Sequence, residues 1–372
     1  MGTHRTRTPE ETWAWVSEHL PRVGITRVAD LTGLDVLGIP VFQAVRPGSW
    51  NLAVSQGKGA TREAARVGAV LEAIETWHAE RLDHLPQTML SLREMRSANP
   101  IPAASLRWQP GVRPLAAAPL AWLRAEPLSG GPPGWLPRQM VELEFRLPEA
   151  FEPVLFEKTS NGLASGNCRE EALLHALCEL VERHGLTRWQ RRPETRVALD
   201  PAAVTAEPGR EMIERCLARG MKLALWDATW EAGLPIVVAE LVAPDLPHVW
   251  RGSGCHTAPD VALSRALSEA AQSRLTYISG ARDDLLYPEP DEEEGPPDRA
   301  FERFREPASG ACRGFASLPD LATARVEDDL GRVVERLERC GTMPYWVDLT
   351  RPELGIPVVV AFAPGLDDPP EV

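Results

Sequence analysis

Three stretches of the chain combine a glycine turn with a helix carrying two oxygen-bearing side chains three positions apart. Ser55-Gln56-Gly57-Lys58-Gly59 precedes a helical segment with Glu72 and Glu75. Asn161-Gly162-Leu163-Ala164-Ser165-Gly166-Asn167 precedes one with Glu179 and Glu182. Gly252-Ser253-Gly254 precedes one with Glu269 and Gln272. The first acid follows the last glycine of its turn by 13 to 15 residues in each case. Spacing of i, i+3 puts both side chains on one helix face. Their neighbours are apolar, as in Val70-Leu71-Glu72-Ala73-Ile74-Glu75. Glutamates on such faces repel one another and lose hydration, so they stay ionised only beside compensating positive charge. Hard divalent cations prefer carboxylate oxygens, and Mg²⁺ commonly bridges them to nucleotide phosphates. Glycine turns entering helices offer backbone N–H groups to those phosphates, and Lys58 offers a point charge. The pattern reads as a nucleotide–magnesium site without a Walker sequence, since G-x-x-x-x-G-K-[ST] is absent.

Blander readings stand beside this one. Each glutamate alone could be a salt-bridged helix acid, and Lys58 a solvated turn lysine. Arg183 and Arg265 could neutralise nearby acids or contact phosphate; Arg265 stands four residues before Glu269 on the same face. His78, His175 and His184 share no metal-ligand spacing, and His175 reads as a satisfied core histidine. Cys168 and Cys255 lie in glycine turns with no identifiable base, so no catalytic nucleophile or general base is assigned. Ala65, Gly68, Thr76 and Ala79 share the face of Glu72 and Glu75 and would admit a close backbone or ligand. Val67, Leu71, Ile74 and Trp77 form the opposite face, suited to the core.

The elements that must position these groups also repeat. Asp30-Leu31-Thr32, Asp227-Ala228-Thr229 and Asp348-Leu349-Thr350 each lead through a turn to Gly-x-Pro and an apolar run. Each copy reads as strand, turn, strand, a hairpin scaffold without chemistry of its own. Thr8-Pro9-Glu10-Glu11 is a capping box opening a helix. Proline-rich stretches over 99–120, 126–138 and 286–314 separate the repeats, the last containing an acidic run read as a mobile loop. Because repeats lie on both sides of these stretches, they do not divide independent domains. The reading is one intertwined α+β domain over residues 25–372 behind a helical N-terminal extension, residues 1–24.

Composition sets the remaining bounds. The 372 residues carry a net charge of −13, which argues against non-specific nucleic-acid binding. Six cysteines form no CxxC pair, so neither a zinc site nor a secreted disulfide framework is expected. No signal-like or membrane-spanning apolar run occurs, and the expectation is a cytoplasmic protein without membrane association.

With these motifs assembled, the chain resembles the YcaO superfamily. Ser55 to Gly59 with Glu72 and Glu75 looks like its first motif. Asn167, Glu171, Glu179, Glu182 and Arg183 match the second. Arg265, Glu269, Gln272 and Gly280-Ala281-Arg282-Asp283-Asp284 match the third. The resemblance implies a YcaO-type fold of mixed and antiparallel sheets packed with carboxylate-bearing helices. It implies ATP- and Mg²⁺-dependent phosphorylation of a peptide backbone amide oxygen, which a nucleophile then replaces. A neighbouring side chain gives an azoline, and sulfide gives a thioamide. The family's magnesium ligands correspond to Glu72, Glu75, Glu179 and Glu182. Its ATP contacts correspond to Asn167, Glu171, Arg183, Arg265 and Glu269, to which the reading of the glycine turn adds Lys58. Many members have Ser where this chain has Gly68 and Arg where it has Thr76, so neither position is given a ligand role. The end, Pro369-Pro370-Glu371-Val372, lacks the alternating prolines of ring-forming members. Trp77-His78-Ala79-Glu80 and the stretch from Asp348 to Pro357 resemble stand-alone members with a TfuA-like, sulfur-delivering partner. Thioamidation of a ribosomally made peptide or protein is the leading expectation. Azoline formation and a non-catalytic nucleotide- or peptide-binding adaptor are the alternatives. The oligomeric state, a homodimer included, is left open.

Overall fold

The computed structural model describes residues 5–112, 117–146, 154–280, 282, 300–304, 306–307 and 312–366. In chain order, α1 (Pro9–Val16) precedes β1 (Arg27–Asp30), β2 (Val41–Val45), β3 (Val54–Lys58) and α2 (Arg62–Ala79). Next come β4 (Gln87–Ser91), α3 (Leu92–Ala98), β5 (Pro119–Pro127) and β6 (Gly134–Pro137). Then follow β7 (Leu163–Ser165), α4 (Arg169–Arg191), β8 (Val197–Leu199) and α5 (Gly209–Ala218). After these come β9 (Lys222–Asp227), β10 (Ile236–Ala243), β11 (Leu246–Cys255) and α6 (Pro259–Ser279). The described chain closes with α7 (Ala300–Arg303), α8 (Val326–Arg339), β12 (Tyr345–Asp348) and β13 (Val358–Phe362).

The three Asp-x-Thr repeats build one turn three times. Asp30 accepts the Thr32 N–H at 2.9 Å, and the Thr32 hydroxyl accepts the Val41 N–H at 3.2 Å. Asp227 and Thr229 do the same for Ile236, and Asp348 and Thr350 for Val358, at the same distances. Side-chain oxygens thus satisfy backbone donors at the bend, where the ladder cannot. Gly38, Gly233 and Gly355 complete the turns at φ of 65°, 70° and 65°, a conformation costly for residues with a Cβ.

A third strand joins each hairpin, followed by a carboxylate helix. The sheets run β1-β2-β3, then β11-β10-β9-β8, then β4-β5-β12-β13-β7 with β6 on β5, and the strand pairs are antiparallel. Thus β1-β2-β3-α2 and β9-β10-β11-α6 are continuous units. The third unit takes β12-β13 from the end of the chain and β7-α4 from its middle, with Val359 opposite Ala164. That interleaving places the third unit's halves on both sides of the second unit in sequence. The N-terminal segment is no free extension: α1 begins with the Thr8–Glu11 capping box and packs on α2.

The helices bury one face against these sheets. Val70 and Ile74 of α2, Leu177 and Val181 of α4, and Ala266 and Ala270 of α6 are buried. The small-residue face of α2 meets a strand: a Cβ on Gly57 of β3 would lie 2.0 Å from the Ala69 nitrogen and 2.1 Å from the Ala65 oxygen. Gly252 of β11 lies as close to α6, 2.2 Å from the Ala266 oxygen on the same measure. On the face assigned to the core, Val67 and Ile74 are buried and Leu71 and Trp77 pack against the core, and Val67 and Leu71 also line the cavity described below. The acidic run of 286–314 and the Ala281, Asp283 and Asp284 positions of the third motif lie outside the described residues.

Candidate functional site: a carboxylate cavity between three helices

One cavity of about 1790 Å³ opens between α2, α4 and α6. Lys58, Glu72, Glu75, Asn167, Glu171, Glu179, Glu182, Arg183, Arg265 and Glu269 all line it. A sequence separation of 211 residues closes here in the 2.6 Å ion pair between Lys58 and Glu269.

The i, i+3 spacing of the acids has a structural rationale. In α4 and α6 the first acid accepts a backbone N–H from the third strand or turn of its own unit, Gly162 to Glu179 at 3.2 Å and Ser253 to Glu269 at 3.3 Å, and in α2 the Gln56 backbone of β3 favours the charged form of Glu72. The second side chain reaches the next unit. Glu75 accepts the Ser165 N–H and hydroxyl, each at 2.7 Å. Glu182 accepts the Ser253 hydroxyl at 2.7 Å and the Cys255 N–H at 2.8 Å. Gln272 donates to the Gln56 carbonyl at 3.5 Å, closing the ring from α6 back to β3. Several strand N–H groups near the turns therefore serve carboxylates. Gly59 and Gly166 donate to the carbonyls of Pro40 and Pro357. The glycines act through close strand–helix contact rather than as an open cradle of free N–H donors.

The acids crowd one another. Burial raises Glu72 to about 7, with Lys58 opposing and Glu179 adding repulsion. Burial raises Glu75 to about 8, helped by the charges of Glu72 and Glu179 and opposed by Ser165. Glu179 is raised by burial and by Glu182, against Arg183 at 3.6 Å. Glu72 keeps solvent contact inside the cavity, so its shift reflects enclosure among protein atoms rather than sealing from water. Glu269 moves the other way: burial would raise it, but Lys58 and Arg183 lower it. Glu171 is likewise lowered despite burial, because Arg5 pairs with it at 2.6 Å and Thr6 and Asn167 donate to it. Among the described residues, no three of His, Cys, Asp and Glu already form a closed metal-binding group. The site is a set of crowded acids, three of them raised by burial and mutual charge, rather than a closed cage.

A stability consequence follows. A carboxyl whose pKa rises on folding stabilises the fold while protonated, and that contribution is lost as pH climbs through the folded value. For Glu72 and Glu75 the loss falls between the ordinary 4.5 and about 7 to 8. His78 is lowered to about 4 by burial, and its opposite effect is complete above its ordinary 6.5. Calorimetric melting of the magnesium-free chain is expected to show a declining midpoint from about pH 6.5 to about pH 8.5, with the slope flattened in Glu75→Gln. A midpoint that rises over that interval contradicts the crowding.

Sequence reasoning missed the N-terminal contribution. Arg5 and Thr6 bind Glu171, and the Thr12 hydroxyl donates to Asn167 at 2.7 Å. Nothing local in the sequence links residues 5–12 to 167–171. Ser165 and Ser253 were also missed, although each directly precedes a glycine of its turn. The cysteines form no disulfide among the described residues. Among the described residues no helix is long and apolar enough to cross a membrane.

Against known families, residues 56–367 match the family described as YcaO cyclodehydratase, ATP- and Mg²⁺-binding. The chain belongs to the YcaO family. Its YcaO relatives include a Mycobacterium tuberculosis protein, 38% identical over 384 residues that cover 98% of this chain and 83% of the relative. A Rhizobium leguminosarum bv. trifolii protein, described as lying in the tfuA 3′ region, is 36% identical and covers 98% of this chain and 88% of its own. Among solved structures, YcaO from Methanopyrus kandleri bound with AMPPCP and Mg²⁺ superposes with a TM-score of 0.74, at 25% identity, over 98% of this chain and 93% of that one. A heterocyclase in complex with substrate and cofactor gives a TM-score of 0.82 at 21% identity over 98% of this chain, which shows the shared fold. This YcaO chain spans about half, 53%, of that heterocyclase. ATP and Mg²⁺ are thus the ligands of this family.

Proposed function

We propose that the chain activates a peptide backbone amide with ATP and Mg²⁺ and serves thioamide formation. The observation that carries the reading is the convergence of Glu72, Glu75, Glu179 and Glu182 on one cavity, where crowding and burial raise the carboxyls of Glu72, Glu75 and Glu179. Such acids fit Mg²⁺: hard oxygen donors, too crowded to stay ionised alone, release protons to a divalent cation. Lys58, Asn167, Glu171, Arg183, Arg265 and Glu269 would contact the nucleotide. Bound Mg²⁺ would offset triphosphate charge. The chain's own residues hold the donors in place through backbone bonds, so little reorganisation accompanies the reaction. Arg183, paired with Glu179, could turn toward phosphate if a metal engaged that acid, while Lys58 stands beside Glu269 at the same site. Arg5, Thr6 and Thr12 belong to the wall beside Asn167 and Glu171.

In the reaction the amide oxygen attacks the γ-phosphorus and ADP leaves. Sulfide then adds to the activated carbon, and phosphate departs with the former oxygen. Support for sulfide as nucleophile is the Rhizobium relative named for its place beside tfuA. A TfuA-like protein is the proposed sulfur-delivering partner. Azoline formation is the second reading, favoured by the family's description as cyclodehydratase. A non-catalytic adaptor fits less well, because the acids of all three motifs are present. The readings part by mass: thioamidation adds about 16 Da to the peptide, and cyclodehydration removes about 18 Da. With a TfuA-like protein, a candidate peptide, sulfide, ATP and Mg²⁺, mass spectrometry is expected to show the gain, with little product when the partner is omitted. A loss of water, or full thioamidation by the isolated chain, overturns the respective part.

A further inference from the structure

His175 stands on the face of α4 that lines the cavity, four residues after Glu171 and four before Glu179. Its Nε2 lies 2.7 Å from an Arg265 guanidinium nitrogen. A guanidinium only donates, so the imidazole nitrogen must accept and be unprotonated. Burial, and then the charges of Arg265 and Arg5, hold His175 well below its ordinary pKa.

The partners of three other cations of the cavity give this contact its meaning. Arg5 pairs with Glu171, Lys58 with Glu269, and Arg183 with Glu179. Arg265 lines the same cavity, yet among the described residues it forms no ion pair with a carboxylate, although Glu269 stands one helical turn away. A carboxylate partner would cancel its charge and hold it back from an incoming anion. A neutral imidazole fixes the direction of the guanidinium and leaves its full charge. We infer that His175 is a positioning residue: it anchors Arg265, uncancelled, to receive a phosphate group of the nucleoside triphosphate. The inference deepens the reading above and rests on it.

Calorimetric titration of the full chain with Mg²⁺ and AMPPCP tests it. His175→Ala is expected to weaken binding by about tenfold or more, the loss of one charge-assisted hydrogen bond. His175→Gln, whose carbonyl oxygen can accept from Arg265, is expected to recover most of that. Arg265→Ala alone and with His175→Ala are expected to bind equally weakly, because His175 acts only through Arg265. A merely structural histidine would instead weaken binding additively in the double variant and would not be rescued by glutamine. Additive losses, or wild-type affinity in His175→Ala, overturn the inference while leaving the ATP reading intact. Failure of the wild-type chain to bind Mg²⁺–AMPPCP sinks the ATP reading and this inference with it.

Discussion

Glu72→Gln is expected to reduce ATP turnover by about a thousandfold while the chain stays folded, roughly 4 kcal/mol of lost transition-state stabilisation. Of the four proposed magnesium ligands, Glu72 offers the cleanest test. It keeps solvent contact in the cavity, and the nearby Gln56 backbone amide can face a glutamine oxygen as well as a carboxylate. The substitution therefore removes charge without leaving a buried donor unpaired. Glu182 is less clean: it is 4% exposed and takes both the Ser253 hydroxyl and the Cys255 N–H, so an amide nitrogen would face a donor. Steady-state ATP consumption, with circular dichroism as the check on folding, reads the result. Unaltered turnover in Glu72→Gln removes this residue from the proposed metal site.

Gly57→Ala is expected to be the most damaging small substitution in the first unit. Its backbone is not in the left-handed region, so the effect is purely steric. The new methyl would meet main-chain atoms of α2 at 2.0 and 2.1 Å, and neither can rotate away. Strand β3 and α2 would have to part, carrying Lys58 from Glu269 and Glu72 from the Gln56 N–H. Overpacking of this kind costs about 3 kcal/mol or more, a drop of about 4 °C or more in melting temperature for a chain of this size. Gly33→Ala is the matched control, since nothing lies within 4 Å of its Cβ position. Equal melting temperatures for the two variants would mean that β3 does not rest on α2 as described.

Much of this arrangement is legible in the residues themselves. The i, i+3 acids amid apolar neighbours announce enclosed charge, and the Asp-x-Thr repeats announce their hairpins. In both cases the determining interactions are local: one helical turn, or a side chain bonding two residues on. The ring is another matter. That Glu75 would bond Ser165, and Glu182 the Cys255 N–H, depends on which units adjoin in space, and sequence spacing carries no such information. Asn167 and Glu171 were legible as a pair, but their partners Arg5, Thr6 and Thr12 were not, because the link spans more than 150 positions. His175 shows the limit most sharply. On its helix it reads as a satisfied histidine; opposite Arg265 it becomes the neutral acceptor for a cation.

The sequence by itself determined the repeated unit, the acids it carries and the family to which the chain belongs, because turn chemistry, helical periodicity and motif spacing are short-range properties. Only the tertiary structure decided that one unit is assembled from the middle and the end of the chain, that the glycines serve strand–helix contact, and that Arg265 meets a histidine rather than a carboxylate among the described residues. Those outcomes follow from close packing between distant segments, where an ångström of approach or a single neighbouring charge selects the partner.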